Sequence, residues 1–168
     1  ARDLVSALSY LHSNGTVFCD LKPGNILLNE YSNLKLCDFG LSQLLVNMVP
    51  GSEPSEQGRQ GTPYYMAPEL FDQNGVFSFS SDIYSMGAVL YELACGKTPF
   101  TDQSFNDLAR NICNSKPKPL TNVSEGCNDF ILSLLEKNPV KRPKWKEIMA
   151  HRWWEGVPFI EYDYPQEI

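Results

Sequence analysis

Apolar residues recur at helical spacing near the start of the chain, where leucines occupy positions 4, 8 and 11. Asn14 and Gly15 follow this stripe and supply a stop signal, so the pattern predicts a core helix over residues 3–13. Short apolar runs then alternate with polar residues over residues 16–37, which is typical of short strands joined by loops. The first part of the chain is therefore expected to be a helix followed by a strand-loop-strand region.

A longer apolar stripe begins near residue 83 and predicts a buried helix. Ser80 or Ser81 is expected to cap its start, and Gly96 followed by Pro99 is expected to end it. The stripe is formed by Ile83, Met86 or Gly87, Leu90, and Leu93 or Ala94. Further helices are expected near residues 103–113, 127–136 and 144–150, so the chain is expected to be mainly helical.

Residues 43–60 are polar and rich in Gly, Ser, Pro and Glu, which is the composition of a surface loop. Aromatic residues concentrate near the other end of the chain, at His151, Trp153 and Trp154. They are expected to pack a terminal helix, and an aromatic cage or a partner-binding patch is the alternative. His12, in the last turn of the first helix, is likewise interpreted as a capping or packing residue rather than a catalyst.

Composition and charge restrict the class of protein. The chain has 168 residues, 42% of them hydrophobic, which is enough for one sizeable core. A net charge of −6 argues against a nucleic-acid binder, because phosphate contacts need clustered Lys and Arg. The five cysteines are scattered without a C-x-x-C pair, so neither a disulfide framework nor a zinc site is indicated. No apolar stretch is long enough to span a bilayer, and we expect a cytoplasmic protein.

Two short motifs carry the candidate chemistry. Residues 20–25 read D-L-K-P-G-N, and residues 38–40 read D-F-G. Together they place two carboxylates, an amide and a lysine within one short region. Carboxylate and amide oxygens suit Mg²⁺, and a carboxylate at hydrogen-bond distance accepts the proton of an alcohol. The two motifs, in this order and between apolar runs, indicate magnesium-assisted phosphoryl transfer.

Longer segments extend this pattern over nearly the whole chain. Residues 61–69 read G-T-P-Y-Y-M-A-P-E, residues 81–87 read S-D-I-Y-S-M-G, and residues 138–143 read N-P-V-K-R-P. With the two shorter motifs they resemble a eukaryotic protein kinase. The subfamily that the chain is most similar to is the Fused-like, uncoordinated-like serine/threonine kinases. This resemblance rests on the combination of F-C-D-L-K-P at residues 18–23, L-C-D at residues 36–38 and P-Y-Y-M-A-P-E-L-F at residues 63–71. The resemblance implies an α+β, mainly helical fold, that of a protein-kinase-like C-terminal lobe with short β-strands around the catalytic loop.

The resemblance also implies a role for each motif residue. Asp20 would orient the substrate hydroxyl and accept its proton, and Lys22 would place a positive charge near the transferred phosphate. Asn25 and Asp38 would bind Mg²⁺ and, through it, the phosphates of ATP. The implied activity is transfer of the γ-phosphate of ATP to a serine or threonine hydroxyl of a protein, with ATP and Mg²⁺ as cofactors.

Other residues receive structural roles from the same resemblance. Asp82 either accepts hydrogen bonds from the catalytic-loop backbone or caps its helix. Glu69 and Arg142 would form a buried ion pair, whose disruption would leave an uncompensated charge. Thr62 would help to order the loop beneath the substrate, and residues 43–60 would form the activation loop.

Phe18 and Cys19 depart from the family pattern, which usually has His-Arg before the catalytic aspartate. Phe18 fills the apolar position, but Cys19 offers no charge to bind a phosphorylated loop residue. Replacing the candidate acceptors Ser52 and Ser55 by Ala is therefore expected to leave activity within about threefold. A reactive thiol is the alternative role for Cys19, although buried cysteines are usually inert.

No G-x-G-x-x-G loop and no V-A-I-K-type lysine precede Asp20. We therefore interpret residues 1–155 as the C-terminal lobe only of a kinase domain, with the N-terminal lobe missing, and residues 156–168 as a tail or the start of a linker. This piece alone is expected to be inactive. One alternative is a pseudokinase that binds partners without turnover. Another is a small-molecule phosphotransferase, against which the A-P-E segment weighs. A protein substrate and ATP are the expected partners, and cytoskeletal or scaffold partners are implied by the resemblance alone.

Overall fold

A computed structural model describes residues 1–44, 62–160 and 162–165. Within these ranges the chain is mainly helical, with a few short strands, as the sequence predicts. The helices are α1 (Arg2–Ser13), α2 (Phe79–Cys95), α3 (Phe105–Asn114), α4 (Glu125–Leu134) and α5 (Trp145–Met149), and the strands are β1 (Thr16–Val17), β2 (Ile26–Leu28), β3 (Leu34–Leu36) and β4 (Gln43–Leu44). The predicted helix bounds lie within about two residues of these, except at the start of α2.

Helix α2 begins earlier than the apolar stripe predicts. Its N-cap is Ser78, whose hydroxyl accepts a hydrogen bond from the Ser81 amide at 3.1 Å. The Ser81 hydroxyl in turn accepts from the Ser78 amide at 2.9 Å, so the two serines form a reciprocal capping box. The expectation that Ser80 or Ser81 caps the helix was wrong, because a stripe that begins at residue 83 gives no sign of the first helical turn. The predicted end is confirmed, since Gly96 adopts a left-handed conformation with φ of 75°.

Helix α2 is also buried on more than one face. Ile83, Met86 and Leu90 are buried as the stripe predicts, but so are almost all the other residues from Phe79 to Tyr91. Leu93, a candidate for the same stripe, is instead 67% exposed. The prediction of a single apolar face was too narrow, because α2 is surrounded by α1, α4 and the segment that follows residue 62.

Two small antiparallel sheets frame the region between residues 16 and 44. Strand β2 pairs with β3, Ile26 opposite Leu36, and the intervening turn is closed by Asn29, whose side chain accepts hydrogen bonds from two turn amides. Strand β1 pairs with β4, with Val17 opposite Gln43. The hairpin therefore brings the residue before β2 and the residues after β3 to the same end.

The C-terminal part of the chain packs through aromatic rings. His151, Trp153 and Trp154 surround Phe130 of α4, with ring centroids 5.0–5.2 Å from that of Phe130. The tail continues back along α1, where the hydroxyl of Tyr164 lies 2.7 Å from that of Ser9. The division of the chain near residue 155 stays a prediction. Among the described residues, no helix is both long and apolar enough to cross a bilayer.

Candidate active site

Asp20 lies in the loop after β1 and is only 9% exposed. Its Oδ2 atom accepts a hydrogen bond from the Lys22 ammonium at 2.7 Å and one from the Asn25 amide at 3.0 Å. The same Asn25 amide donates to the backbone oxygen of Asp20 at 2.8 Å. A 3₁₀ turn over Pro23–Asn25 folds the chain back and makes these contacts possible. The structure thus brings together three of the four residues that the motifs indicate.

The hydrogen bonds leave specific atoms available. Both bonds of Asn25 use its Nδ2 group, so its Oδ1 atom accepts nothing from the described residues. Both bonds to the Asp20 carboxylate go to Oδ2, so its Oδ1 atom has no donor among those residues. A carboxylate that is fixed through one oxygen and open at the other can accept a hydrogen bond from a bound hydroxyl group.

Asp38 follows β3 at the same end of the hairpin as Asn25. The amide of Cys37 donates to the backbone oxygen of Asn25 at 3.0 Å, which ties the two motifs together. Asp38 is exposed, and its backbone adopts the left-handed conformation with φ of 62°. Its Oδ1 atom accepts a hydrogen bond from the Gly40 amide at 3.2 Å. Phe39 packs edge-on against Phe18, with ring centroids 5.2 Å apart.

The donor atoms of Asn25 and Asp38 are of the type that a magnesium ion takes. In the described part of the chain no group of three or more His, Cys, Asp or Glu side chains could hold a metal ion. An ion bound through Asn25 and Asp38 would therefore complete its shell with water and phosphate oxygens, as Mg²⁺ usually does. Hard oxygen atoms on an amide and an exposed carboxylate suit that mode of binding.

Asp82, in the first turn of α2, fixes the backbone just before Asp20. Its Oδ2 atom accepts from the Phe18 amide at 2.6 Å, and its Oδ1 atom accepts from the Cys19 amide at 2.9 Å. Of the two roles considered for Asp82, the structure therefore shows the first, contact with the loop backbone. His12 lies 2.9 Å from Asp82 Oδ2, so it is a buried structural residue, as predicted.

Cys19 occupies a constrained and buried position. It has φ of 70°, in the left-handed region that non-glycine residues rarely adopt. Burial, followed by the nearby Asp82 carboxylate, raises the pKa of its thiol well above the ordinary value. The thiol is therefore neutral at physiological pH, which argues against the alternative of a reactive thiolate.

Glu69 and Arg142 form the expected ion pair. The guanidinium donates from Nη1 and Nη2 to the two carboxylate oxygens, at 2.7 and 3.0 Å. The Arg142 side chain is fully buried, and its remaining donors reach the backbone oxygens of Ser80, Glu136 and Lys137. The pair connects the 3₁₀ turn Pro68–Phe71 to the start of α2 and to the segment after α4.

Two connections of the site were not apparent from the sequence. The hydroxyl of Tyr65 donates to Glu92 of α2 at 2.6 Å, and the backbone oxygen of Tyr65 accepts from Ser85. The indole of Trp145 donates to His12 at 3.0 Å, across 133 positions of sequence. No spacing rule reports such a contact, because it depends on how distant elements pack.

Some of the expected features lie outside the described residues. These are Gly61, the loop residues 45–60 and the candidate phosphate acceptors Ser52 and Ser55. Thr62 is described and precedes the 3₁₀ turn Pro63–Tyr65. Its role in ordering the loop stays a prediction.

Comparisons with known proteins find serine/threonine-protein kinases that are similar to this chain. The serine/threonine-protein kinase RUNKEL of Arabidopsis thaliana is 46% identical over 157 residues, which are 93% of this chain and 11% of that protein. The serine/threonine-protein kinase fused of Drosophila melanogaster is 40% identical over 157 residues, 94% of this chain and 19% of that protein. The human serine/threonine-protein kinase ULK3 is 38% identical over 159 residues, 90% of this chain and 32% of that protein. The resemblance to Fused-like kinases is confirmed, although the chain spans less than a third of the length of these relatives.

The sequence profile of the protein kinase domain provides the family assignment. It matches residues 1–154, which include every motif of the catalytic loop and both partners of the buried ion pair. This match covers far more than half of the 168 residues, and the chain therefore belongs to the protein kinase family.

Proposed function

We propose that the protein containing this chain transfers the γ-phosphate of ATP to a serine or threonine hydroxyl of a protein substrate. In this proposal the chain supplies the C-terminal lobe of the kinase domain. The observation that carries the proposal is the Asp20 carboxylate, which is fixed through Oδ2 by Lys22 and Asn25 while its Oδ1 atom accepts no hydrogen bond from the described residues. The names of the relatives support a serine/threonine kinase rather than another phosphotransferase.

Asp20 binds the substrate hydroxyl through Oδ1 and accepts its proton as the new oxygen–phosphorus bond forms and the bond from the γ-phosphorus to the bridging oxygen of ADP breaks. The fixed carboxylate lowers the entropic cost of aligning the hydroxyl for in-line attack. Lys22, 2.7 Å from Asp20, keeps the carboxylate oriented and contributes positive charge where the phosphoryl group is transferred.

Asn25 and Asp38 provide the magnesium-binding oxygens. Mg²⁺ bound between these residues and the nucleotide would neutralise charge on the phosphates. Asn25 has a second task, because its Nδ2 group fixes Asp20 through two hydrogen bonds. One side chain thus holds the proton acceptor and carries one of the two proposed metal-binding oxygens.

The finer parts of the proposal concern the setting of the reaction. ATP and Mg²⁺ are the cofactors, a protein is the substrate, and the cytoplasm is the compartment. The absence of a membrane-spanning helix from the described residues is compatible with that compartment. Scaffold or cytoskeletal partners rest on the family resemblance alone.

Phosphotransfer by the full-length protein tests the proposal. The protein would be incubated with radiolabelled ATP, Mg²⁺ and a mixture of peptides with Ser, Thr or Tyr acceptors. Phosphoserine or phosphothreonine should form, and Asp38→Asn should abolish it while the exposed control Asp163→Asn retains it. A parent protein that binds partners but transfers no phosphate would establish the pseudokinase instead, and phosphotyrosine as the product would contradict the serine/threonine assignment.

A further inference from the structure

A buried chain of hydrogen bonds runs from α5 to the catalytic loop. The indole Nε1 of Trp145 lies 3.0 Å from Nδ1 of His12, and Nε2 of His12 lies 2.9 Å from Oδ2 of Asp82. Trp145 is 4% exposed, and the side chains of His12 and Asp82 are 0% and 2% exposed. Water therefore does not compete for these hydrogen bonds. Each buried polar group relies on its neighbour in the chain as a hydrogen-bond partner.

The direction of the hydrogen bonds follows from the donor capacity of each group. An indole N–H donates and cannot accept, so Nδ1 of His12 must present its lone pair to Trp145. The imidazole proton is then on Nε2, where it donates to the Asp82 carboxylate. Trp145 thus selects the tautomer of His12 that supplies Asp82 with a hydrogen bond.

Asp82 is the point at which this chain reaches the catalytic loop. Its oxygens accept from the amides of Phe18 and Cys19, the two residues immediately before Asp20. Cys19 has φ of 70°, a conformation that is strained in a non-glycine residue and persists only where the surroundings enforce it. The position of Asp20 therefore depends on the two hydrogen bonds that Asp82 accepts from these backbone amides.

Neighbouring rings fix the orientation of the chain. The His12 ring stacks on Phe79 of α2, with centroids 4.3 Å apart and an interplanar angle of 21°. On the other side, Trp145 stacks on Tyr164 of the tail, at 6.1 Å and 20°. Both rings are thus held in planes that allow the hydrogen bonds between Trp145, His12 and Asp82 to form.

We propose that Trp145 is a positioning residue of the kinase reaction, which acts through His12 and Asp82 on the backbone of Phe18 and Cys19. The proposal rests on the proposed function of Asp20, but its structural part can be tested without activity. Loss of the indole N–H leaves Nδ1 of His12 buried without a donor, so that the imidazole turns. Rotation of the ring withdraws its Nε2 donor from Asp82, which then no longer holds the loop amides in the same geometry.

The test compares two buried tryptophans in the full-length protein. Trp145→Phe removes the donor to His12. Trp154→Phe is the matched control, because Trp154 is 6% exposed and its Nε1 has no hydrogen-bond partner among the described residues. Both changes remove the same atoms from a buried site, but only one breaks the hydrogen-bond chain.

Amide hydrogen exchange, measured by mass spectrometry on peptides that cover residues 16–21, reports the loop directly. Trp145→Phe should accelerate exchange at Phe18 and Cys19, and Trp154→Phe should not. Unchanged exchange in Trp145→Phe, or equal acceleration in both variants, would overturn the proposal whether or not the parent is an active kinase. If Trp145→Phe does not fold, 3-benzothienylalanine at position 145 keeps the shape of the side chain without the N–H, and the same outcomes apply.

Kinetics supply the second readout. In Trp145→Phe, kcat should fall about tenfold while KM for ATP and for peptide changes less than about twofold, because misplacing a reacting group affects the chemical step. His12→Phe should lower kcat similarly, and adding Trp145→Phe to it should cause no further loss. A further tenfold loss in the double variant would show that Trp145 acts by packing alone. If His12→Phe does not fold, the exchange comparison decides the question.

Discussion

Arg142 and Glu69, 73 positions apart in sequence, form a two-point ion pair whose arginine side chain has no exposed surface. Replacing Glu69 by Gln should lower the free energy of unfolding by about 3 kcal/mol. This is the lower end of the range for breaking a buried pair, because three backbone oxygens still accept from the guanidinium.

This change in the free energy of unfolding is measured by denaturant unfolding of the full-length protein, monitored with a signal from the kinase domain. Asp72→Asn is the control, because Asp72 is a nearby exposed carboxylate with no ion pair to Arg142. Equal stability of Glu69→Gln and Asp72→Asn would mean that the Arg142 charge does not need Glu69.

Gly87 allows close contact between α2 and α4. A Cβ atom added there would lie 2.7 Å from the Cβ of Leu134, closer than packed atoms permit. Gly87→Ala should therefore destabilise the domain by about 1–2 kcal/mol, since overpacking exceeds the gain in helix propensity of about 1 kcal/mol. Gly126→Ala in α4 meets nothing closer than 3.7 Å and should be neutral or stabilising. Thermal unfolding of both variants checks the contrast, and equal melting temperatures would contradict it.

Lys137 is expected to make the stability of the domain depend on pH. Burial lowers the pKa of Lys137 to about 8, although the Phe100 ring, 3.9 Å from the ammonium, favours the charged form. Between about 8 and the ordinary value of 10.5, the unfolded chain binds more protons than the folded chain. A rise in pH through this window therefore favours the folded state.

The stability of the parent relative to Lys137→Met should increase by about 1 kcal/mol from pH 7.5 to 10.5, allowing for solvent that screens a half-buried group. The difference between the two proteins is the useful quantity, because buried thiols and phenols titrate in the same range with the opposite sign. A difference that stays constant or decreases with pH would contradict the account of Lys137.

The sequence predicted elements better than it predicted contacts. Helix α1 and the end of α2 follow from an apolar stripe closed by a stop signal, and the short strands follow from apolar runs. The start of α2 at Phe79 did not follow from the sequence, because the capping serines Ser78 and Ser81 precede the stripe. The exposure of Leu93 could not be predicted from the sequence either. The packing of distant elements decides which faces of α2 are buried, and the sequence pattern does not give that packing.

In the candidate site, too, contacts between residues close in sequence were predicted better than contacts between distant residues. Asp20, Lys22 and Asn25 are close in sequence, and a single 3₁₀ turn is enough to bring them together. The role of Asp82 was predicted only from the family resemblance. The backbone amides that donate to it lie 63 and 64 positions earlier in the chain. The bond from Trp145 to His12 was found only from the structure, since neither residue differs by type or spacing from an ordinary core residue.

Turnover by Asp20→Asn in the full-length protein tests the central claim most directly, with Mg²⁺–ATP affinity measured by calorimetry on the same preparation. The Asn side chain keeps the shape of Asp20 but cannot take up the proton, so kcat should fall by about 10²- to 10⁴-fold while Mg²⁺–ATP affinity changes less than about twofold. Asp38→Asn should differ by weakening Mg²⁺–ATP binding as well, because it removes a metal-binding oxygen. Unchanged turnover in Asp20→Asn would contradict the assignment of Asp20 as the proton acceptor.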